Sequence, residues 1–178
     1  MCMLKRFIPT FYSKSIFDVP LDFYKKNNIK IVFTDLDNTL DSYKVLSPSQ
    51  RVIELFNIYK ENGIDLVIIS NNTKDRIHDY ANALNSKYLS GSKKPFKGKI
   101  NKFIKQNQFN KDEIILIGDQ LVTDVQAGNN LKIKVMLTEP IVKEDQPCTR
   151  FNRMLDRIIR KKLRKKGILK EREVKGNE

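Results

Sequence analysis

Three aspartates, Asp35, Asp37 and Asp41, fall within the stretch "DLDNTLD", directly after the apolar run "KIVFT". Carboxylates gathered this closely repel one another. Each buried charge is costly unless it is paired or ligates a metal. Hard oxygen ligands such as Asp35, Asp37 and the more distant Asp119 suit Mg²⁺. Two carboxylates two positions apart also suit phosphoryl chemistry. One attacks phosphorus as a nucleophile, and the other reaches the leaving group as an acid. A phosphate held there needs further partners. Lys94 can bind one of its oxygens, and Ser70 with backbone N–H groups can donate to another.

These residues are useful together only if the chain brings them to one place. "KIVFT", "IDLVIIS", "EIILIGD" and "IKVML" read as strands, and "KYLSG" as a short weak one. The continuous apolar character of the first two is that of strands covered on both faces. Between them lie helical patterns. "SPSQRVIELFNIYKENG" carries Val52, Leu55, Phe56 and Tyr59 at helical spacing, with Ser47 and Pro48 at its start and Gly63 at its stop. Ile77, Tyr80, Ala81 and Leu84 mark a second helix, Ile100, Phe103 and Ile104 a third, and "LVTDVQAGNNL" a short fourth. Strands alternating with helices predict an α/β fold: three layers, a Rossmann-like parallel sheet with helices on both faces. In such sheets ligands bind at the carboxyl ends of the strands. Asp35, Asp37 and Thr39 follow the first strand, Ser70, Asn71 and Asn72 the second, and Asp119 and Asp124 the fourth. All should converge on one edge.

Several readings compete for "DLDNT". A solvated surface turn leaves the polar ends of two further strands unaccounted for. A calcium-binding loop is excluded: its sixth position is Leu40 rather than Gly, its twelfth is Leu46 rather than Glu, and a strand precedes it. A phosphate-accepting receiver module also collects aspartates, a hydroxyl and a lysine at strand ends, but has no use for an acid beside its acceptor. A phosphotransferase with an aspartate nucleophile uses both carboxylates.

The motifs "DLDNT", "IISNN", "KKP" and "GDQLVTD" resemble, in order and context, the four motifs of the haloacid dehalogenase-like phosphohydrolases. With "LKRFIPTFYSKSIFDV" and "KKPFKGK", the chain is most similar to the YqeG type of subclass IIIA, which is similar to phosphatidylglycerophosphate phosphatases. The resemblance implies Asp35 as nucleophile and Asp37 as general acid and then base. It implies Thr39 as a brace for their loop, and Ser70 and Asn71 as phosphate ligands. Lys94 would balance charge, and a Mg²⁺ site would be formed by Asp35, the Asp37 carbonyl and Asp119, with Asp124 supporting the metal or Lys94. Asp35 and Ser70 are 35 residues apart and Ser70 and Lys94 are 24 apart, intervals filled by a helix and a strand each. No room is left for the lid domain found in relatives acting on small substrates. A capless member resembles those acting on large or anchored phosphates, or those that use a neighbouring subunit as a lid.

Composition bounds the setting. The net charge is +13, and from Arg150 onward twelve Lys/Arg face four Asp/Glu. "RFNRMLDRIIRKKLRKK" places Phe151, Met154, Leu155, Ile158, Ile159 and Leu163 near one helical face, with basic residues filling much of the rest. A basic amphipathic helix suits an anionic membrane, RNA or ribosome binding is the other polyanionic option, and a helix that packs its apolar stripe on the domain with its charges solvated is the third reading. The first residues are aromatic and basic, with Phe7, Phe11, Tyr12, Phe17, Phe23 and Tyr24. They can pack on the core or lie at a membrane surface. Three units are therefore expected: an aromatic/basic segment (1–29), a phosphatase domain (30–149) and a basic amphipathic tail (150–178). No apolar run reaches the roughly 18 residues that span a bilayer, and the N-terminus lacks a signal-peptide core. A cytoplasmic protein, possessing at most a peripheral membrane contact, is expected. Cys2 and Cys148 are too few and scattered for a disulfide framework, and the single His78 cannot support a His-based metal site.

The expected function is a Mg²⁺-dependent phosphomonoester hydrolase acting on a phosphorylated, lipid-anchored partner, with phosphatidylglycerophosphate as substrate. The alternatives are a phosphatase on nucleic-acid ends or a soluble metabolite, and a non-catalytic phosphate-sensing or RNA-binding module.

Overall fold

The computed structural model describes residues 2–73, 75–142 and 150–174. Its centre is a six-stranded, all-parallel sheet. The strands are β1 (Phe11–Tyr12), β2 (Ile31–Thr34), β3 (Asp65–Ile69), β4 (Tyr88–Leu89), β5 (Ile114–Gly118) and β6 (Lys134–Leu137), in the order β1-β6-β5-β2-β3-β4. The richest apolar runs, "IVFT" and "IILIG", become β2 and β5, fully buried in the middle of the sheet. Parallel strands covered on both faces demand such runs.

Alternate residues of each strand feed two cores. Val32, Leu66, Ile68, Ile115 and Ile117 face one, where α1 (Leu21–Lys26), α2 (Gln50–Glu61) and α3 (Asp75–Ala83) bury Tyr24, Tyr59 and Tyr80. Phe33, Val67, Ile69, Ile114 and Leu116 face the other, packed by α4 (Gly98–Gln106), α5 (Gln126–Leu131), α6 (Arg150–Lys165) and α7 (Ile168–Glu171). The three expected layers are present, and no further domain interrupts the sheet among the described residues.

Register decides where the polar ends meet. Thr34 lies opposite Ile68 of β3 and Ile117 of β5, so the residues after β2, β3 and β5 emerge side by side. From β2 the chain moves outward through β3 and β4, then returns to β5 on the other side of β2. A parallel sheet opens a crevice at such a switch point, and Asp35 and Asp119 stand on its two sides.

The expected boundaries near residues 30 and 150 do not separate packing units. β1 pairs with β6, and the Tyr12 N–H donates to the Arg172 carbonyl at 2.7 Å while the Val174 N–H donates to the Tyr12 carbonyl at 2.8 Å. The two ends of the chain thus meet on one sheet edge. Ile16, Phe23 and Tyr24 are buried, and Phe7, Phe11 and Phe17 pack against the two cores. The N-terminal aromatics are therefore core residues rather than a membrane-facing cluster. Burying such rings removes apolar area from water at about 25 cal/mol per Å², which a surface role forfeits. No helix among the described residues is long and apolar enough to cross a membrane. Cys148 lies outside the described residues, and His78 is exposed beside Asp79 on α3.

The tail also departs from its expected orientation. Of the six apolar residues expected on one face of α6, Leu163 is buried and Leu155 and Ile159 are half-buried. Phe151, Met154 and Ile158 are exposed, and the buried positions are instead Arg153, Asp156 and Arg160. The reason lies in the surface that α6 meets, described next.

Candidate active site

Asp35 begins the loop after β2 and is buried. Its Oδ1 accepts from Lys94 Nζ at 2.6 Å. Lys94 is itself buried, while its neighbour Lys93 is exposed. The Lys94 ammonium also reaches Asp124 Oδ1 at 2.7 Å and the Ile69 carbonyl at 2.8 Å. Burial alone would pull this ammonium down, but Asp124 and Asp35 outweigh it and hold it above the ordinary lysine value. Asp35 is pushed up from the ordinary aspartate value, first by burial and then by Asp124, Asp119 and Asp37, with Lys94 opposing.

Asp119, the residue after β5, has no exposed surface. Burial raises its pKa to about 6 in spite of Arg153, whose guanidinium lies 2.6 Å from Oδ2. Asp124 sits in a π-helical turn, Leu121–Val125. Such wide turns are frequent at functional sites because they re-aim a side chain within a helix. The Asp124 carboxylate packs directly on Gly118: a Cβ there would lie 2.3 Å from its Cγ. Any larger residue at 118 would expel Asp124 from the site. Gln120 N–H and the Thr123 hydroxyl donate to Asp124 Oδ2 at 3.1 and 3.3 Å.

Asp35, Asp119 and Asp124 each offer a ligand atom, and the three atoms lie within 4.8 Å of one another. Asp119 Oδ1 is buried with no hydrogen-bond donor among the described residues. A buried acceptor of this kind costs free energy unless something satisfies it. An all-oxygen carboxylate set with an unsatisfied buried oxygen fits a hard divalent cation such as Mg²⁺.

Asp37 is at the mouth, with its side chain 18% exposed. Arg76 Nη1 donates to Asp37 Oδ1 at 2.5 Å, and the same guanidinium donates to the carbonyls of Val45 and Ser42 at 2.6 and 3.2 Å. The loop is braced from within. Asp41 is buried and accepts from Ser49 N–H at 3.0 Å and from the Tyr80 hydroxyl at 2.6 Å. Asn38 takes the left-handed conformation (φ 67°) that asparagine tolerates. Thr39 is buried, and its Oγ1 makes no hydrogen bond among the described residues.

Ser70 is buried at the end of β3, where its Oγ accepts from Asn72 N–H at 3.1 Å. Asn71 is employed differently from a phosphate ligand. Its Oδ1 accepts from the Lys94 N–H at 2.6 Å and from the Ser92 hydroxyl at 2.8 Å, and its Nδ2 donates to the Lys94 carbonyl at 2.9 Å. Its amide clamps the lysine loop instead.

Sequence reasoning gave no role to Asp41 and missed Arg76, Arg153, Asp156 and Arg160 as parts of the site. Two signals were present. Arg76 stands in the first turn of a helix, where a cation opposes the helix dipole. Asp156 is the one acid from Arg150 to Lys170 in an otherwise basic stretch. On α6, Arg160 Nη2 donates to the carbonyls of Asp119 and Thr138 at 2.7 and 3.2 Å, and the Leu121 N–H donates to Asp156 Oδ1. The helix meets polar strand ends, so it presents its polar face to them.

Carboxylates and a buried lysine gathered at the carboxyl ends of parallel strands define an α/β phosphoryl-transfer fold. Residues 14–138 match the family model described as "Haloacid dehalogenase-like hydrolase". The chain is 36% identical over 166 residues to "Probable phosphatase YqeG" of Bacillus subtilis (strain 168), covering 93% of this chain and 96% of that protein. The chain belongs to the haloacid dehalogenase-like hydrolases, and it is a phosphatase. Among solved structures, an uncharacterized protein from Listeria monocytogenes serotype 4b is similar in fold. Its TM-score is 0.52 at 16% identity, covering 75% of this chain and 99% of that one. A cobalt-bound deoxy-D-mannose-octulosonate 8-phosphate phosphatase from Haemophilus influenzae gives a TM-score of 0.49 at 16% identity, covering 80% and 92%.

Proposed function

We propose that this protein is a Mg²⁺-dependent phosphomonoesterase working through an aspartyl-phosphate, and that its substrate is a lipid phosphomonoester, phosphatidylglycerophosphate. Asp35, Asp119 and the Asp37 carbonyl would hold the cation, with Asp124 bracing the site. When bound, Mg²⁺ supplies positive charge to the phosphate oxygens and to the crowded carboxylates.

The rest falls to the chain itself. An Asp35 oxygen attacks phosphorus, and the bond from phosphorus to the ester oxygen breaks. Asp37 gives its proton to the departing alkoxide. In the second half, Asp37 takes a proton from the water that attacks phosphorus. The acyl phosphate opens, inorganic phosphate leaves, and the Asp35 carboxylate is restored. Arg76 holds Asp37 Oδ1 at the mouth of the site. Lys94, held between Asp35 and Asp124, balances charge as the nucleophile is consumed. Ser70 and the backbone N–H groups after β3 receive the transferring phosphoryl group, and Asn71 acts through Lys94. Catalysis of this type rests on positioning and charge neutralisation.

The lipid assignment rests on where apolar side chains are left in water. Among the described residues the large exposed hydrophobics include Leu46 (72%), Phe96 (73%), Phe151 (66%) and Met154 (50%). Leu46 follows Val45, whose carbonyl is bonded by the Arg76 that holds Asp37. Phe96 is two residues from Lys94, and Phe151 and Met154 flank Arg153. Each of these residues neighbours a site residue in the chain, and an exposed apolar patch beside a site would mark an interaction surface. The basic tail adds attraction to anionic lipid, about 1 kcal/mol per residue near the surface before screening.

Phosphate release from phosphatidylglycerophosphate in anionic vesicles, compared with a soluble monoester, tests the proposal. Wild type should turn over the lipid faster, D35N should abolish both activities, and D37N should slow them by about 10²–10⁴-fold. Chelation should remove activity and Mg²⁺ restore it. Undiminished turnover by D35N would sink the mechanism. Equal or better turnover of the soluble monoester would sink the lipid assignment and leave the phosphatase mechanism standing.

A further inference from the structure

The buried face of α6 is directed at the site, although α6 lies beyond the residues 14–138 that match the family model. Arg153, Asp156 and Arg160 follow one another at helical spacing and are all buried. Each grips the loop that opens with Asp119. Arg160 holds the Asp119 carbonyl at 2.7 Å, and Asp156 accepts from the Leu121 N–H. Arg153 reaches the Asp119 side chain itself, Nη2 to Oδ2, at 2.6 Å.

Asp119 shares the carboxylate cluster with Asp35 and Asp124, each residue offering one ligand atom. Lys94 serves the other two carboxylates, at 2.6 and 2.7 Å, so Asp119 depends on α6 for its counter-charge. Carboxylates that ligate metals are themselves oriented by hydrogen bonds, and removing such a partner typically costs about 10–100-fold in metal affinity or activity.

We infer that Arg153 is a positioning residue for the metal ligand Asp119, so that the C-terminal helix is a working part of the catalytic centre. The inference rests on the proposed Mg²⁺ site and is independent of the lipid substrate.

Calorimetric titration of the full chain with Mg²⁺, without substrate, tests it, with the Mg²⁺-induced rise in Tm as a second readout. R153Q keeps a donor of similar polarity and R153M removes it. Both should bind Mg²⁺ about 10–100-fold more weakly, R153Q less severely, with a smaller rise in Tm. R153K should recover part of the affinity. K162Q, on the exposed side of the same helix, should leave it unchanged. If R153M fails to fold, R153Q and R153K still decide the matter. Native Mg²⁺ affinity in a folded R153Q would make Arg153 a tail anchor only and overturn the inference. Tighter binding in R153Q would show that Arg153 opposes the cation, and overturn it as well. A wild-type chain that binds no Mg²⁺ defeats the metal reading and this inference together, whereas binding by wild type and R153Q alike defeats the inference alone.

Discussion

Helices α4 and α6 cover the same side of the sheet and have similar compositions, yet they are oriented by opposite rules. α4 turns Ile100 and Ile104 inward, with Lys99, Lys102 and Lys105 left in solvent. Over most of its length α6 turns Arg153, Asp156 and Arg160 inward and leaves Phe151, Met154 and Ile158 outside. The difference lies in the opposing surface. α4 lies in the core formed by Phe33, Val67, Ile69 and Leu116, where apolar burial is the available gain. The first turns of α6 meet the carboxyl edge of the sheet, where Asp119, two carbonyls and the Leu121 N–H all require partners. Leaving those groups unsatisfied costs about 1–3 kcal/mol each, more for a charge. Exposing a few apolar side chains on α6 costs less. Further along, α6 reaches apolar surface again and buries Leu163.

The contrast can be broken from either side. The largest effect is expected for R160M. It removes the buried cationic partner of Asp156 and frees the Asp119 carbonyl, and should destabilise the fold by about 3–5 kcal/mol in denaturant unfolding. A loss well under 1 kcal/mol would mean that the polar face of α6 is not what docks it. I104A on α4 should cost about 2–5 kcal/mol through lost burial and a cavity. Unlike R160M, it should leave the Mg²⁺ affinity of the folded protein unchanged.

Acid sharpens the comparison. Glu139 accepts from Arg160 at 2.9 Å, Arg164 at 2.6 Å and the Tyr12 hydroxyl at 2.6 Å. Burial pushes its pKa up, but Arg160, Tyr12 and Arg164 prevail and hold it below the ordinary 4.5. A carboxylate with a depressed folded-state pKa stabilises the fold above its unfolded-state value and loses that contribution as pH falls through the folded-state value. Between pH 7 and 5 the contribution of Glu139 should therefore be constant. Below about 4.5 it should fade. In thermal unfolding across pH, wild type should lose stability below this point more steeply than E139Q, and α6 amides should exchange faster. Parallel curves for the two proteins would remove Glu139 from the docking of α6.

The smallest stability effect belongs to the outer face. The double variant F151S/M154S should change stability by no more than about 0.5 kcal/mol per site, as solvent-facing substitutions do. Its binding to anionic vesicles in a sedimentation assay should nevertheless drop. Unchanged vesicle binding would separate the apolar residues of α6 from any lipid surface.

Much of the site was legible before the fold. Asp35, Asp37, Asp119 and Asp124 follow strands whose apolar runs are unmistakable, and a parallel sheet brings strand ends together. Lys94 could be chosen over Lys93 only by resemblance. Burial now separates them, since one ammonium lies between two carboxylates and the other in water. β1 was not legible, because a two-residue strand has no period to detect. Arg76 was hidden among ordinary surface arginines, since its three acceptors belong to a loop more than 30 residues earlier.

The sequence by itself determined the order of the elements, the two-sided burial of β2 and β5, and the acidic character of the crevice. These follow from local periodicity and from the residue immediately after each strand. Only the tertiary structure decided which face of α6 turns inward, that the N-terminal aromatics are core, and that Asp119 takes its counter-charge from Arg153. Periodicity reveals which residues share a face but not what that face meets. The charge pair between Asp119 and Arg153 joins elements 34 positions apart in the chain and leaves no repeat in the sequence.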